Sequence, residues 1–176
     1  TLSLHDALPI LAEAYIIDTV RTPRSIGKMG KGALSTMHPE HLSASVLAAI
    51  RDRNNLNTAD VDDIIWGTSA QMGQQGGDMG RMAALDAGYD QKASGVTLDR
   101  FCGSGITATN LAAGQIMSGM EDLVIAGGCE MMSYVTVFGG KIREAGLGSS
   151  GGMSNGNARL QAAHPQSHQG VCADAI

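Results

Sequence analysis

Apolar residues follow the chain in two alternating patterns from about residue 13 onward. Short unbroken apolar runs predict buried strands, and repeats at three- and four-residue spacing predict amphipathic helices. The predicted strands are residues 15–17, 64–66, 96–98 and 123–126. The predicted helices begin at Pro39, cover 79–87 and cover 106–120, and a capped single turn is expected at 58–61. This alternation predicts an α/β fold with a mostly parallel sheet and helices on both faces.

The expected buried faces follow from the same spacing. Proline suits the first turn of a helix, so Pro39 predicts a start there, with Ser35 or Thr36 as the upstream cap. The apolar stripe of this helix is Leu42, Val46, Leu47 and Ile50. The apolar face of the helix at 106–120 is expected to be Ile106, Ala113, Ile116 and Met120.

Cys102 lies between the strand at 96–98 and the helix that follows, with Gly103 and Gly105 beside it. A sharp strand-to-helix turn forces unusual backbone angles on its central residue, and small neighbours permit them. The side chain is then exposed at the amino end of a helix, where free N–H groups and the dipole favour a thiolate. Cys102 is therefore a candidate nucleophile. Most free cysteines are inert core residues, however, and spacing alone leaves both interpretations open.

Composition limits the function classes. The chain has 176 residues, enough for one domain with a real core, and 43% of them are hydrophobic. A net charge of −5 gives no support to binding of nucleic acid or of a membrane surface. Three widely spaced cysteines fit neither a disulfide framework nor zinc-ligand spacing, and indicate a reducing compartment. The glycine-rich residues 71–80 lack the lysine and hydroxyl residue of a phosphate-binding loop, which argues against nucleotide binding.

Several blocks, in order along the chain, resemble the thiolase family of acetyl-CoA acetyltransferases. The block around Cys102, residues 99–106, is similar to the thiolase active-site block. The other similar blocks are residues 20–23, 63–67, 80–84 followed by Gly88, 126–133 and 168–170. The likeness covers roughly residues 13–176, and so many ordered blocks are a specific signal.

The resemblance implies a layered α-β-α fold and acyl transfer between coenzyme A thioesters, in the degradative or the synthetic direction. Cys102 would carry the acyl group as a thioester, and His168 is a candidate contact for the CoA moiety. Acyl-CoA and CoA would be substrates, with no permanently bound cofactor and no metal. Glu130 would be either a buried carboxylate that orders the turns beside the cysteine or a solvated loop acid. The resemblance also implies a cytoplasmic homodimer or homotetramer.

The resemblance divides the chain into three parts. Residues 1–12 match nothing expected at the head of the family, and we interpret them as foreign to the gene. Residues 13–138 correspond to the amino-terminal α/β domain, and residues 139–176 to the start of a truncated loop domain that covers the CoA tail. A further strand, from beyond the loop domain, would be absent, which leaves the strand at 123–126 with an unpaired edge.

A full thiolase would also supply an activating histidine and a second catalytic cysteine, and no histidine or cysteine here has the expected sequence context. We therefore expect this chain alone to be inactive. Two alternatives remain open. One is a non-catalytic acyl-CoA-binding module with a thiolase-like fold, and the other is a condensing enzyme of the ketoacyl-synthase type.

Overall fold

The computed structural model describes residues 13–145, 157–165, 167 and 169–176. Its strands are β1 (Asp63–Gly67), β2 (Val96–Leu98) and β3 (Val124–Gly128). Its α-helices are α1 (Pro39–Arg53), α2 (Met79–Asp86), α3 (Ser104–Ser118), α4 (Met132–Glu144), α5 (Ala158–Ala163) and α6 (Gln169–Asp174). Two short 3₁₀ helices cover Thr58–Asp60 and Gly73–Gln75.

The three strands form one parallel sheet in the order β2-β1-β3. Ile65 of β1 pairs with Val96 on one side and with Ala126 on the other. The predicted parallel sheet is therefore confirmed. β1 is its central strand, and β2 and β3 are the two edges of the sheet in the described residues. Val96 is 44% exposed, so β2 is less buried than its apolar run predicts.

Alternate residues of β1 pack against helices on opposite faces of the sheet. Ile64 and Trp66 belong to a core cluster with α1 and α2. Ile65, on the other face, packs with Ala108 and Ala112 of α3. These five residues are buried, and the expected arrangement of helices on both faces is confirmed. Helix and sheet can approach closely here because the side chains on α3 are small.

The buried face of α3 differs from the prediction. Ile106 and Met120 are 71% and 70% exposed, whereas Ser104, Ala108 and Ala112 are buried. Large apolar residues dominate a hydrophobicity pattern, but the space above β1 admits only small ones. Steric fit therefore decides which face of α3 is inward.

The cap of α1 also differs from the prediction. Pro39 is the first helical residue as expected, but the cap is His38 rather than Ser35 or Thr36. A residue before proline is held in an extended conformation, and an N-cap needs that backbone. His38 has φ −70° and ψ 131°, and its Nδ1 accepts a hydrogen bond from the Glu40 N–H at 3.2 Å.

The predicted first strand at residues 15–17 is wrong, because residues 13–26 contain no helix or strand. The side chains of Tyr15, Ile16 and Ile17 are 76–78% exposed. A cavity of about 1130 Å³ is lined both by this segment and by β3. A strand needs a neighbouring backbone to pair with at about 4.8 Å, and in the described residues this segment pairs with none. It is attached instead through Asp18, which accepts a hydrogen bond from Asn54 at 2.9 Å.

Candidate active site

The carboxyl ends of all three strands meet at one edge of the sheet. The Thr68 N–H donates to the Leu98 carbonyl at 3.0 Å, which joins the ends of β1 and β2. The Thr68 hydroxyl donates to the Cys129 carbonyl at 3.0 Å, and the Cys129 N–H donates to the Gly67 carbonyl at 3.1 Å. In α/β sheets this edge is the usual location for ligands.

Cys102 lies at this edge, exposed on the turn between β2 and α3, as the sequence predicts. The unusual backbone angle falls one residue earlier than expected, on Phe101, whose φ is +50°. A non-glycine residue in this left-handed region costs of order 1–3 kcal/mol, so neighbouring contacts must hold it. The Phe101 N–H donates to Asp99 Oδ1 at 2.7 Å, which is one of those contacts.

Ser104 closes the turn, a role that the sequence pattern did not reveal. Its buried hydroxyl accepts from the Arg100 N–H at 2.9 Å and donates to the Phe101 carbonyl at 2.7 Å. The Gly103 N–H also donates to the Arg100 carbonyl, at 3.0 Å. A serine in the first turn of a helix is a known signal for such local bonds, but it does not specify the partners.

The amino end of α3 has no side-chain cap. Its N-cap is Gly103, and the first bond of the α-helical ladder runs from the Thr107 N–H to the Gly103 carbonyl at 3.0 Å. Ahead of that bond the Ser104 N–H donates to the Phe101 carbonyl at 3.1 Å, whereas no acceptor for the Gly105 and Ile106 N–H groups is recorded in the described residues. The N–H groups of a helix amino end carry the positive end of the helix dipole. Cys102 lies two residues before the first residue of α3, beside these groups. A helix amino end of this kind favours a negatively charged group bound beside it.

The other two cysteines have different surroundings. Burial raises the pKa of the Cys129 thiol, and its Sγ lies 3.7 Å from the Pro39 carbonyl oxygen. Cys172 is exposed on the short helix α6. Cys129 also lies on a turn that leads from a strand into a helix, between β3 and α4, but it is half-buried, whereas Cys102 is exposed.

Glu130 fits neither of its two interpretations fully: it is not a buried carboxylate, and it is bonded to the loop that follows β1 rather than only to solvent. Although the residue is exposed, its carboxylate accepts from the Ser69 N–H at 2.8 Å, the Ala70 N–H at 3.4 Å and Gln75 Nε2 at 2.9 Å. Gln75 itself is fully buried and was not identified from the sequence. Glu130 and Gln75 are far apart in the sequence, and no sequence pattern indicates that their side chains are bonded.

Some predicted features lie outside the described residues or are not tested by them. His168, the candidate CoA contact, is not among the described residues. The predicted boundary at residue 139 falls within α4.

Within residues 13–145, 157–165, 167 and 169–176, no group of three or more His, Cys, Asp or Glu residues is arranged to hold a metal ion. In the same ranges no helix has both the length and the apolar character needed to cross a membrane.

Comparison with known proteins gives consistent matches. The chain is 42% identical over 128 residues to a steroid 3-ketoacyl-CoA thiolase, FadA6, of Mycobacterium tuberculosis, covering 73% of this chain and 31% of that protein. It is 37% identical over 153 residues to a 3-ketoacyl-CoA thiolase of Shewanella loihica, covering 86% and 39% of the two chains. The chain thus spans about a third of the length of the curated relatives that it matches.

A solved structure and a family model agree with these relatives. The crystal structure of the Bacillus anthracis acetyl-CoA acetyltransferase superposes with a TM-score of 0.53 at 36% identity, over 58% of this chain and 25% of that one. The family model for the thiolase N-terminal domain matches residues 14–176. The fold is a partial thiolase-like α/β fold, and the chain belongs to the thiolase family.

Proposed function

We propose that this chain is the amino-terminal part of a thiolase, and that Cys102 carries the acyl group between coenzyme A thioesters. The observation that supports the proposal most directly is the exposure of Cys102 beside the uncapped amino end of α3. The names of the relatives, 3-ketoacyl-CoA thiolase and acetyl-CoA acetyltransferase, support the same reaction class.

The chemistry follows from the properties of a thiolate. In the degradative direction the Cys102 thiolate attacks the keto carbon of a 3-ketoacyl-CoA, and the bond between that carbon and C2 breaks. The acyl group remains on Cys102 as a thioester, and the released carbanion takes a proton to give acetyl-CoA. The thiolate of a second CoA then removes the acyl group. A cysteine thioester is close in energy to a CoA thioester, so both directions are accessible.

The turn supplies one part of this reaction. Oxygen becomes negative when the thiolate adds to a carbonyl group, and N–H groups at a helix amino end stabilise that charge. In the described residues no histidine is bonded to Cys102, and the histidines that make side-chain contacts, His38 and His41, contact Glu40 and Asp86. A general acid or base contributes about 10²–10⁴ in rate. We therefore expect no measurable turnover from this chain alone.

The finer assignments belong to this proposal as well. Acyl-CoA and free CoA are the substrates, no cofactor is permanently bound, and His168 contacts the CoA moiety. The full-length protein is a cytoplasmic homodimer or homotetramer that serves fatty acid metabolism and β-oxidation. Residues 1–12 are foreign to the gene, and residues 139–176 begin the loop domain. The thiolase relatives support CoA thioesters as the substrates.

Acetyl transfer to the chain tests the central step. The chain is incubated with radiolabelled acetyl-CoA, quenched in acid, digested and mapped by mass spectrometry. We expect label on the peptide that contains Cys102 and none on those containing Cys129 or Cys172. Cys102→Ala is the matched control and should abolish the label.

One result would contradict acyl transfer through Cys102, and another would contradict the expected inactivity of this chain. Acetyl-CoA binding without label on Cys102 would favour the non-catalytic binding module. Robust thiolysis of a 3-ketoacyl-CoA by the purified chain would disprove the expected inactivity, although it would leave Cys102 as the acyl carrier.

A further inference from the structure

The carboxylate of Glu130 is held by a single neighbouring loop, residues 69–75. Its Oε2 accepts from the Ser69 N–H at 2.8 Å, and its Oε1 accepts from the Ala70 N–H at 3.4 Å and from Gln75 Nε2 at 2.9 Å. No Lys, Arg or His of the described residues forms a salt bridge with it. N–H donors alone therefore offset its charge, and hydrogen bonds to a charged acceptor are the stronger kind.

Gln75 connects the same two segments, but its side chain comes from the loop and bonds back to the turn after β3. It is fully buried, and both ends of its amide are bonded. Its Nε2 donates to the Ala70 carbonyl at 3.0 Å, and its Oε1 accepts from the Met131 N–H at 2.6 Å. Loop 69–75 and the turn after β3 are thus joined by side-chain bonds in both directions, from the exposed Glu130 and from the buried Gln75. Paired polar groups of this kind make a loop more rigid.

The turn that carries Cys102 rests on the start of this loop. A Cβ placed on Gly67 would lie 2.9 Å from the carbonyl carbon and the Cβ of Ser104, so α3 begins directly above the end of β1. Two residues further along, Ser69 Oγ lies 3.5 Å from Ser104 Oγ. Because the Ser104 proton is directed at the Phe101 carbonyl, the Ser69 hydroxyl is the donor available across this gap.

We infer that Glu130 is a positioning residue for the acyl transfer proposed above, on which the inference rests. It fixes loop 69–75, and through Ser69 and Ser104 it fixes the turn that carries Cys102. The sulfur is thereby held in register with the N–H groups at the start of α3. Glu130 touches neither the sulfur nor a substrate in this arrangement, and its effect is transmitted through the loop.

The first test measures local hydrogen exchange by NMR in three variants. Glu130→Gln keeps the size of the side chain but presents an NH₂ group to N–H donors. Glu130→Asp keeps the carboxylate and should partly rescue the wild-type behaviour. Glu121→Gln is the matched control, because no hydrogen bond of its carboxylate is recorded in the described residues.

The readout is the exchange rate of the Gly103 and Ser104 N–H groups, which bond to the Arg100 and Phe101 carbonyls. In Glu130→Gln we expect both to exchange about tenfold faster or more, since bonds to a charged acceptor are lost. The N–H of Ala112, in the middle of α3, should keep its rate. Equal acceleration at Ala112 would mean a general loss of stability and would overturn the inference, as would unchanged rates at Gly103 and Ser104.

The second test compares two reactions of Cys102 in the same variants. Alkylation by iodoacetamide needs only an exposed thiol, whereas acetyl transfer from acetyl-CoA needs the sulfur in register with oxyanion donors. We expect Glu130→Gln to slow acetyl transfer by about tenfold, with alkylation slowed much less and Glu130→Asp intermediate. Equal slowing of both reactions in Glu130→Gln would overturn the inference.

The two proposals can fail separately. If the wild-type chain is not acetylated at Cys102, the proposed function fails, and with it the role of Glu130 in acyl transfer. If the wild-type chain is acetylated and Glu130→Gln changes neither exchange nor acetyl transfer, the inference about Glu130 fails alone.

Discussion

At the scale of single residues, short polar side chains hold the backbone where strands end and turns begin. Asp99, Ser104 and Glu130 each bond N–H groups a few residues away or on an adjacent loop. Asp62 does the same at the start of β1. Its Oδ2 accepts from the Asp122 N–H at 2.8 Å and from the Leu123 N–H at 2.9 Å. These two bonds connect the beginnings of β1 and β3.

The Asp62 contacts predict a pH-dependent stability. The N–H groups of Leu123 and Asp122 lower the pKa of the Asp62 carboxyl in the folded chain. A carboxyl whose pKa is lower in the folded than in the unfolded state stabilises the fold above the unfolded value of about 3.9. That stabilisation is lost as the pH falls through the folded pKa. Asp62→Asn should therefore lower the urea midpoint at neutral pH, and the difference from wild type should shrink as the pH falls below about 4.

Asp60→Asn is the control for this measurement, because no hydrogen bond of the Asp60 carboxylate is recorded in the described residues. Its urea midpoint should follow that of the wild type at every pH. A difference between Asp62→Asn and wild type that stays constant down to about pH 2 would contradict the role given to the Asp62 charge.

At the scale of elements, the contact between α3 and β1 determines where Cys102 lies. Gly67 ends β1, and the first turn of α3 packs on it so closely that a side chain would overlap the helix backbone. Ala108 and Ala112 extend this close contact along Ile65. The helix amino end and the carboxyl ends of the strands are brought together by small residues on both elements.

Gly67→Ala tests this contact. The added Cβ would lie 2.9 Å from the Ser104 backbone and 3.1 Å from the Gly105 nitrogen, so α3 must shift. Overpacking of this kind costs about 1–3 kcal/mol, which urea denaturation would measure as a loss of unfolding free energy. Gly114→Ala is the matched control. Gly114 lies on the same helix, α3, and its added Cβ would have no neighbouring atom within 4 Å.

The control should change stability in the opposite direction. Alanine is favoured over glycine in a helix interior by up to about 1 kcal/mol, so Gly114→Ala should stabilise the chain. Gly67→Ala without a loss of stability would show that α3 does not depend on close packing over β1.

At the scale of the whole molecule, β3 is an open edge of the described sheet. The cavity of about 1130 Å³ runs along it, lined by α1, α3 and residues 13–27. Since the Cys129 N–H points to β1 and successive residues of a strand alternate, the N–H groups of Val124, Ala126 and Gly128 point to the open edge. Unpaired edges of this kind are open to pairing with other chains, so the association expected from the sequence stays a prediction.

Two proline variants test that expectation. Ala126→Pro removes an N–H that points to the open edge, so it should weaken concentration-dependent association in sedimentation velocity while the fold is kept. Ile125→Pro removes an N–H that points to β1, and it should unfold the chain, as circular dichroism would show. Association that is equally strong in folded Ala126→Pro would exclude the β3 edge as the contact.

The sequence by itself determined most of the sheet, its first three helices and the place of Cys102 among them. Apolar spacing, Pro39 and the glycines around Cys102 act locally, and local preferences are readable from one chain. Three strands, α1, α2, α3 and the turn that carries Cys102 were therefore predictable, as was the parallel sheet with helices on both faces.

Tertiary structure decided what depends on distant partners. Residues 15–17 have the composition of a strand but pair with no strand of the described sheet, and α3 turns its alanines inward, where small side chains fit over β1. The tertiary structure also decided the left-handed conformation of Phe101 and the bonds of Glu130 to residues about sixty positions earlier. Hydrogen bonds and steric fit between remote segments leave no periodic trace in the sequence, so only the folded chain reveals them.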